Sequence, residues 1–77
     1  MSAKSLEELL PGETAVIQGV NGEEDTHLLE MGLTAGTPVK LIKFAPFGDP
    51  LELKVRGYHL SIRRSEAKEI VVQTMQN

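Results

Sequence analysis

The most regular alternation of hydrophobic and polar residues runs from Leu51 to Val55, where three aliphatic residues are separated by Glu52 and Lys54. A period of two predicts a β-strand with one buried face and one face exposed to solvent. The alternation resumes after Gly57, which predicts a hairpin of two antiparallel strands around this glycine. We place its two-residue loop at Gly57-Tyr58.

This loop predicts how the two strands pair. The expected opposite positions are Arg56 with His59, Val55 with Leu60, Leu53 with Ile62, and Glu52 with Arg63. Each aliphatic residue then meets another aliphatic residue, and an acid meets a base. A shift by one residue would turn Leu60 and Ile62 toward solvent, so we expect the register to be strongly specified.

Three further strands are predicted from segments rich in valine, isoleucine and leucine between glycines and prolines, over about 13–20, 37–45 and 69–73. In the last of these, Ile70 and Val72 are expected to point inward. The strand over 37–45 has aliphatic or aromatic residues on both faces, which predicts either a bent strand or a partly exposed apolar patch. Its two faces are Val39 with Leu41, and Ile42 with Phe44.

Helical elements complete the prediction. Ser5 is placed to cap a short turn that ends before Pro11, and Ser65 is placed to cap a turn over 65–68. Asn21 to Leu33 predicts a helix, because Asn21 and Glu24 have capping-box spacing and an apolar stripe follows at Leu28, Leu29, Met31 and Leu33. We therefore expect a mainly β fold in a single domain over 1–77, a small five-stranded barrel with this helix as a lid.

Composition narrows the functional classes. The 77 residues are 40% hydrophobic and 25% charged, as in soluble globular domains. The chain has no cysteine, which excludes disulfides, thiol nucleophiles and Cys-ligated metal centres. No catalytic signature surrounds any serine or threonine, so we predict a protein that is not an enzyme and uses no cofactor. No apolar run is long enough to span a bilayer. A net charge of −3, with only two phenylalanines and one tyrosine, disfavours nucleic-acid binding.

Several motifs, in this order and spacing from about Leu6 to Val72, resemble the FeoA family of ferrous-iron uptake accessory proteins. They are Leu6…Leu9 followed by Pro11-Gly12-Glu13, then Leu29…Gly32-Leu33, Gly36-Thr37, Gly48-Asp49-Pro50-Leu51, Val55-Arg56-Gly57-Tyr58 and Arg63…Glu66-Ala67. The sequence departs from the family at Ala35, where proline is usual, and at Ser61-Ile62-Arg63, where Ala-Leu-Arg is usual. The resemblance implies an SH3-like barrel that acts in the cytoplasm beside FeoB, the membrane GTPase that carries ferrous iron. It also implies that the protein binds and regulates this transporter.

Basic and aromatic residues are the candidates for partner binding, and we select Lys43, Phe47, Lys54, Arg56, Tyr58, His59 and Arg64. Basic side chains on the outer face of a barrel either are simply solvated or dock an acidic or GTPase-domain surface. Arginine favours such contacts through its planar fork, and a tyrosine can anchor an interface. Phe47 has two possible roles, as an exposed hook or as a cap over the barrel end.

Two alternative functions remain open from the residues. Glu23, Glu24, Asp25 and His27 offer oxygen and nitrogen ligands for Fe(II) or Mn(II), as in a metal-responsive sensor. We favour the simpler interpretation, in which these acids complement a helix N-terminus, and predict no metal site. The other alternative is a peptide-binding SH3-like module, whose groove would have few aromatic side chains to use. Self-association is also left open.

Overall fold

The computed structural model describes residues 3–21, 30 and 32–75. Within these residues, six strands form one antiparallel sheet in the order β1-β6-β2-β3-β4-β5. The strands are β1 Ala3–Ser5, β2 Thr14–Val20, β3 Pro38–Phe44, β4 Leu51–Val55, β5 Tyr58–Ile62 and β6 Ile70–Thr74. A 3₁₀ turn covers Leu6–Glu8, and a short α-helix, α1, covers Arg64–Ala67. The mainly β prediction is confirmed.

The core of the curled sheet is aliphatic. Its fully buried side chains come from every strand except β1, from the 3₁₀ turn, from α1 and from the loops that contain Leu9 and Leu33. The largest are Leu6, Leu9, Ile17, Leu33, Leu41, Leu51, Leu53, Ile62 and Ile70. Ile70 and Val72 are both buried, as the sequence predicts for β6. Branched aliphatic side chains fill the interior without an aromatic residue at its centre, which agrees with the low aromatic content.

The sixth strand, β1, is absent from the five-strand prediction. It pairs with β6 through Ala3 with Gln73, Lys4 with Val72, and Ser5 with Val71. These three residues have no aliphatic alternation, so the sequence pattern carries no strand signal there. Strand β1 forms because β6 offers it a free backbone edge.

The register predicted for the β4–β5 hairpin is wrong by two residues. The observed pairs are Val55 with Tyr58, Lys54 with His59, Leu53 with Leu60, Glu52 with Ser61, and Leu51 with Ile62. The loop is Arg56-Gly57, and both residues have positive φ, 49° and 90°, as type I′ hairpin turns require. Side chains alternate with a period of two, so a two-residue error keeps the predicted faces but changes every partner. The predicted pair of Glu52 with Arg63 therefore does not form.

A β-bulge explains the apolar residues on both faces of β3. Leu41 pairs with Leu53, but Lys43 pairs with the next residue of β4, Glu52, which leaves Ile42 as the extra residue. A bulge bends the strand and reverses its alternation beyond that point. Phe44 consequently returns to the inner face, where it packs against the core. The bent strand is the alternative that the structure confirms.

The predicted helical turns form, but their caps differ. Ser5 occupies the N-cap position of the 3₁₀ turn, and its hydroxyl bonds the Glu8 carboxylate at 3.3 Å rather than a backbone amide. Helix α1 begins after Arg63, whose amide donates to Glu66 Oε1 at 3.0 Å, so the prediction of Ser65 as its cap is wrong. Of the predicted helix over 21–33, residues 22–29 and 31 lie outside the described residues. Leu33, at its end, is fully buried.

Candidate docking surface

The loop from β3 to β4, residues 45–50, presents the most exposed large hydrophobic side chain among the described residues. Phe47 is 98% exposed at the tip of this segment, which we call the Phe47 loop. A phenyl ring in that position contributes almost no burial to the fold. The structure therefore shows an exposed side chain rather than a cap over the barrel end.

The backbone of the Phe47 loop is held by short hydrogen bonds. The Gly48 amide donates to the Ala45 carbonyl at 2.7 Å, and the Ala45 amide donates to the Pro50 carbonyl at 3.0 Å. Proline is favoured at the second position of such a turn, where Pro46 lies. Gly48 has a φ of +88°, a conformation that costs glycine little. These bonds hold the backbone of the loop, which places Phe47 at its tip.

Arg64, the first residue of α1, fastens this loop to the barrel. Its Nη1 donates to the Gly48 carbonyl at 2.8 Å, and its backbone amide donates to Asp49 Oδ1 at 2.9 Å. Its Nε lies 3.2 Å from Glu7 Oε1, and its guanidinium lies 5.3 Å from the centre of the Phe44 ring. The planar guanidinium thus serves several partners at once, and Arg64 is a positioning residue for Phe47.

We expect Arg64→Lys to lower the free energy of unfolding by about 1–2 kcal/mol. The ammonium of lysine keeps the charge but cannot bond Gly48 and Glu7 in the same plane while it covers Phe44. Urea unfolding measures the loss, and amide hydrogen exchange at Gly48 shows whether the loop is released. The matched control is Arg63→Lys, because the neighbouring Arg63 is exposed and bonds Glu66 through its backbone amide. Equal stability of the two variants would contradict the positioning role.

An open groove of about 220 Å³ lies beside the Phe47 loop, lined by Lys43, Ala45, Pro46, Pro50, Glu52 and Ser61. None of these six residues is aromatic. Phe44 faces the core and Phe47 projects from the loop. The groove therefore lacks the aromatic walls on which SH3 domains stack proline-rich peptides.

Arg56 and Tyr58 lie at the opposite end of the β4–β5 hairpin from the Phe47 loop. Arg56 Nη2 donates to the hydroxyl of buried Thr37 at 3.3 Å. Tyr58 is 44% exposed, and a Cβ at Gly32 would lie only 2.8 Å from its hydroxyl oxygen. The length of β4, about 17 Å for five residues, separates these two residues from the loop. The predicted binding residues thus form separate groups along one hairpin.

A row of basic side chains crosses three strands between these groups. Lys54 on β4 lies directly opposite Lys40 on β3 and directly opposite His59 on β5. All three side chains are exposed, and we call them the basic row. Lys40 is not one of the seven residues selected from the sequence, and the β3–β4 register is what makes it a direct neighbour of Lys54.

The described residues were compared with the requirements of a metal site and of a membrane-spanning helix. Within residues 3–21, 30 and 32–75, no three His, Asp or Glu side chains are grouped closely enough to hold a metal ion. The candidate ligands Glu23, Glu24, Asp25 and His27 lie outside these residues. The part of the chain that the structure describes also has no helix with the length and apolarity needed to cross a bilayer.

Comparisons with solved structures identify the fold. A FeoA-like protein from Clostridium acetobutylicum is 33% identical, with a TM-score of 0.92 over 100% of this chain and 92% of that one. FeoA of Stenotrophomonas maltophilia, solved in complex with zinc and described as a prokaryotic SH3 domain protein, is 32% identical. Its TM-score is 0.76, over 90% of this chain and 88% of that one. The SH3-like barrel implied by the resemblance is confirmed.

Comparisons of sequence identify the family. A fusion of Fe(2+) transport protein A with the Fe(2+) transporter FeoB, from Porphyromonas gingivalis, is 36% identical over 70 residues. The match covers 88% of this chain but only 8% of that protein, so the chain corresponds to a small part of this relative. The sequence model of the FeoA domain family matches residues 4–74. Because that match spans nearly the whole sequence, the chain belongs to the FeoA family.

Proposed function

We propose that this protein is a cytoplasmic, non-enzymatic accessory factor of ferrous-iron uptake that binds the cytoplasmic part of an FeoB transporter and regulates it. The observation that carries the proposal is the fusion of the two proteins in Porphyromonas gingivalis, where the relative of this chain is covalently joined to FeoB. A covalent link keeps two modules at millimolar effective concentration. A high effective concentration strengthens the association of two modules only if they bind one another, so the fusion supports binding between them.

The geometry of the Phe47 loop supports direct binding of a partner protein through this loop. Binding hot spots are enriched in aromatic residues and arginine. A loop whose backbone is already held in one conformation loses little backbone freedom when a partner covers it. The Phe47 loop has both properties, because it carries an aromatic ring that is 98% exposed and its backbone is fastened by Arg64.

The proposed binding surface extends from the Phe47 loop across the basic row to the hairpin turn. It contains the residues selected from the sequence, which are Lys43, Phe47, Lys54, Arg56, Tyr58, His59 and Arg64. In this proposal Arg64 contributes through the loop that it positions. The Stenotrophomonas maltophilia relative is described as a candidate activating factor of ferrous-iron transport, which supports the same accessory role here.

Capture of the cognate FeoB cytoplasmic domain tests the proposal. The purified full-length chain is immobilised, and the FeoB domain is applied without nucleotide, with GDP and with a non-hydrolysable GTP analogue. We expect binding in at least one nucleotide state with a dissociation constant of about 1 μM, equivalent to about −8 kcal/mol. The control is an unrelated SH3 barrel of similar size and charge. No binding in any state, together with normal iron uptake in a deletion strain, would refute the proposal.

A further inference from the structure

We propose that the basic row, Lys40, Lys54 and His59, is a docking surface for an acidic helix on a partner protein. The inference deepens the proposed function and rests on it only for the identity of that partner. Its basis is the direct cross-strand juxtaposition of the three side chains on β3, β4 and β5.

Charge is the first argument. Like charges directly opposite each other on neighbouring strands destabilise a sheet, and Lys40 with Lys54 is such a pair. Two cations elsewhere in the described residues are paired with carboxylates, since Lys4 lies 3.9 Å from Glu13 and Arg64 lies 3.2 Å from Glu7. Within the described part of the chain, the basic row has no hydrogen bond or ion pair. Its positive charge is therefore available to an acidic partner.

The neighbouring row on the same face sets a boundary to this positive surface. There Lys43 on β3 lies opposite Glu52 on β4, which in turn lies opposite Ser61 on β5. A carboxylate next to a lysine lowers the local positive potential. The attraction for an anionic partner is thus strongest along the basic row itself.

Spacing is the second argument, and it favours a helix. Neighbouring strands lie about 4.8 Å apart, so three side chains across three strands span about 10 Å. On an α-helix, positions i, i+3 and i+7 share one face and span about 10.5 Å along the axis. Three successive side chains on one face of an extended strand span about 13 Å. A helix with glutamates at i, i+3 and i+7 therefore matches the basic row more closely than an extended acidic segment.

The charge of the whole protein favours a short acidic segment over a long polyanion. The chain has 11 acidic and 8 basic residues, a net charge of −3. Nucleic acids and anionic membranes present continuous negative charge, which would also meet the acidic parts of this surface. A single helix meets the basic row alone and avoids that repulsion.

Two peptides of identical composition test the inference. The first carries a stripe of glutamates at i, i+3 and i+7 along one helical face, and the second distributes the same glutamates around the helix. Each is titrated into the ¹⁵N-labelled full-length chain at low salt. We expect the striped peptide to shift the amide signals of Lys40, Lys54 and His59 and to bind about tenfold more tightly. Its affinity should fall as added salt screens the charges.

Charge-reversal variants give the matched comparison. Lys54→Glu, at the centre of the row, should reduce affinity for the striped peptide about tenfold or more. Lys68→Glu changes the net charge equally at an exposed lysine outside the row, and it should change affinity by less than about twofold because distant charges are screened. Equal effects of the two variants would overturn the inference. So would equal binding of the two peptides, or tighter binding of an oligothymidylate or anionic vesicles through the row.

The outcome is separable from that of the proposed function. If the chain binds the striped peptide more tightly than the other peptide but does not capture FeoB, the result refutes the proposed function and supports the docking surface. If FeoB is captured, Lys54→Glu leaves that capture unchanged and neither peptide binds, the result refutes the docking surface and removes the basic row from the proposed FeoB-binding surface. It still supports the accessory function.

Discussion

Phe47→Ala is expected to weaken binding to the FeoB cytoplasmic domain by about 30-fold or more, which corresponds to about 2 kcal/mol. An aromatic side chain buries roughly 150–250 Å² when it is fully covered by a partner. Because Phe47 is 98% exposed in the free protein, almost all of that area is available for binding. Isothermal titration calorimetry of the FeoB domain with the unaltered chain and with Phe47→Ala measures the difference in affinity.

The free energy of unfolding of Phe47→Ala shows whether weaker binding comes from the lost contact with the partner or from a damaged fold. Truncating so exposed a ring should change the free energy of unfolding by less than about 0.5 kcal/mol. Leu10→Ala is the matched control, since Leu10 is another exposed hydrophobic side chain, at 67%, in a different turn. If Leu10→Ala weakened binding as much as Phe47→Ala, the Phe47 loop would not be the anchor.

Leu53→Ala is expected to lower the free energy of unfolding by about 2–5 kcal/mol. Leu53 is fully buried in β4, with Leu41 opposite it on β3 and Leu60 opposite it on β5. Truncation removes apolar burial and leaves a cavity that paired strands on both sides cannot readily close. A 77-residue domain has a total stability of about 4–12 kcal/mol, so this variant approaches the limit of folding.

Chemical denaturation of the Leu53 variant gives the measurement. The midpoint should fall while the denaturant slope stays constant, because the same surface is exposed on unfolding. Leu10→Ala serves again as the control, with an expected change of less than about 0.5 kcal/mol. A Leu53→Ala midpoint equal to that of Leu10→Ala would show that the core accommodates the lost volume by repacking.

The fold class and the inward faces of the central strands could be predicted from the sequence because they depend on local alternation. The register of the β4–β5 hairpin could not, since it depends on Arg56 adopting a φ of 49°, which arginine seldom does. The bulge at Ile42 could be inferred only as a bend. Strand β1 could not be predicted from the sequence, because it is defined only by its backbone pairing with β6.

The candidate site was predictable as residue types but not as an arrangement. The exposure of Phe47 follows from the turn over 45–48 and from the bond between Arg64 and the Gly48 carbonyl. The turn is local, but the bond to Arg64 joins residues 16 positions apart in the sequence. Lys40 joins the basic row only through the pairing of β3 with β4, and the bulge at Ile42 is part of that pairing. Sequence patterns do not encode such cross-strand neighbours.

The pairing of Ala3 with Gln73 has a consequence for how this domain is linked to other domains. Antiparallel partners lie about 5 Å apart, so a polypeptide enters and leaves the barrel at nearly the same point. A domain built this way can be inserted into, or appended to, a longer chain without stretching any strand. Adjacent ends of this kind suit a region that is joined to other domains, and the matched region makes up 8% of the Porphyromonas gingivalis fusion protein.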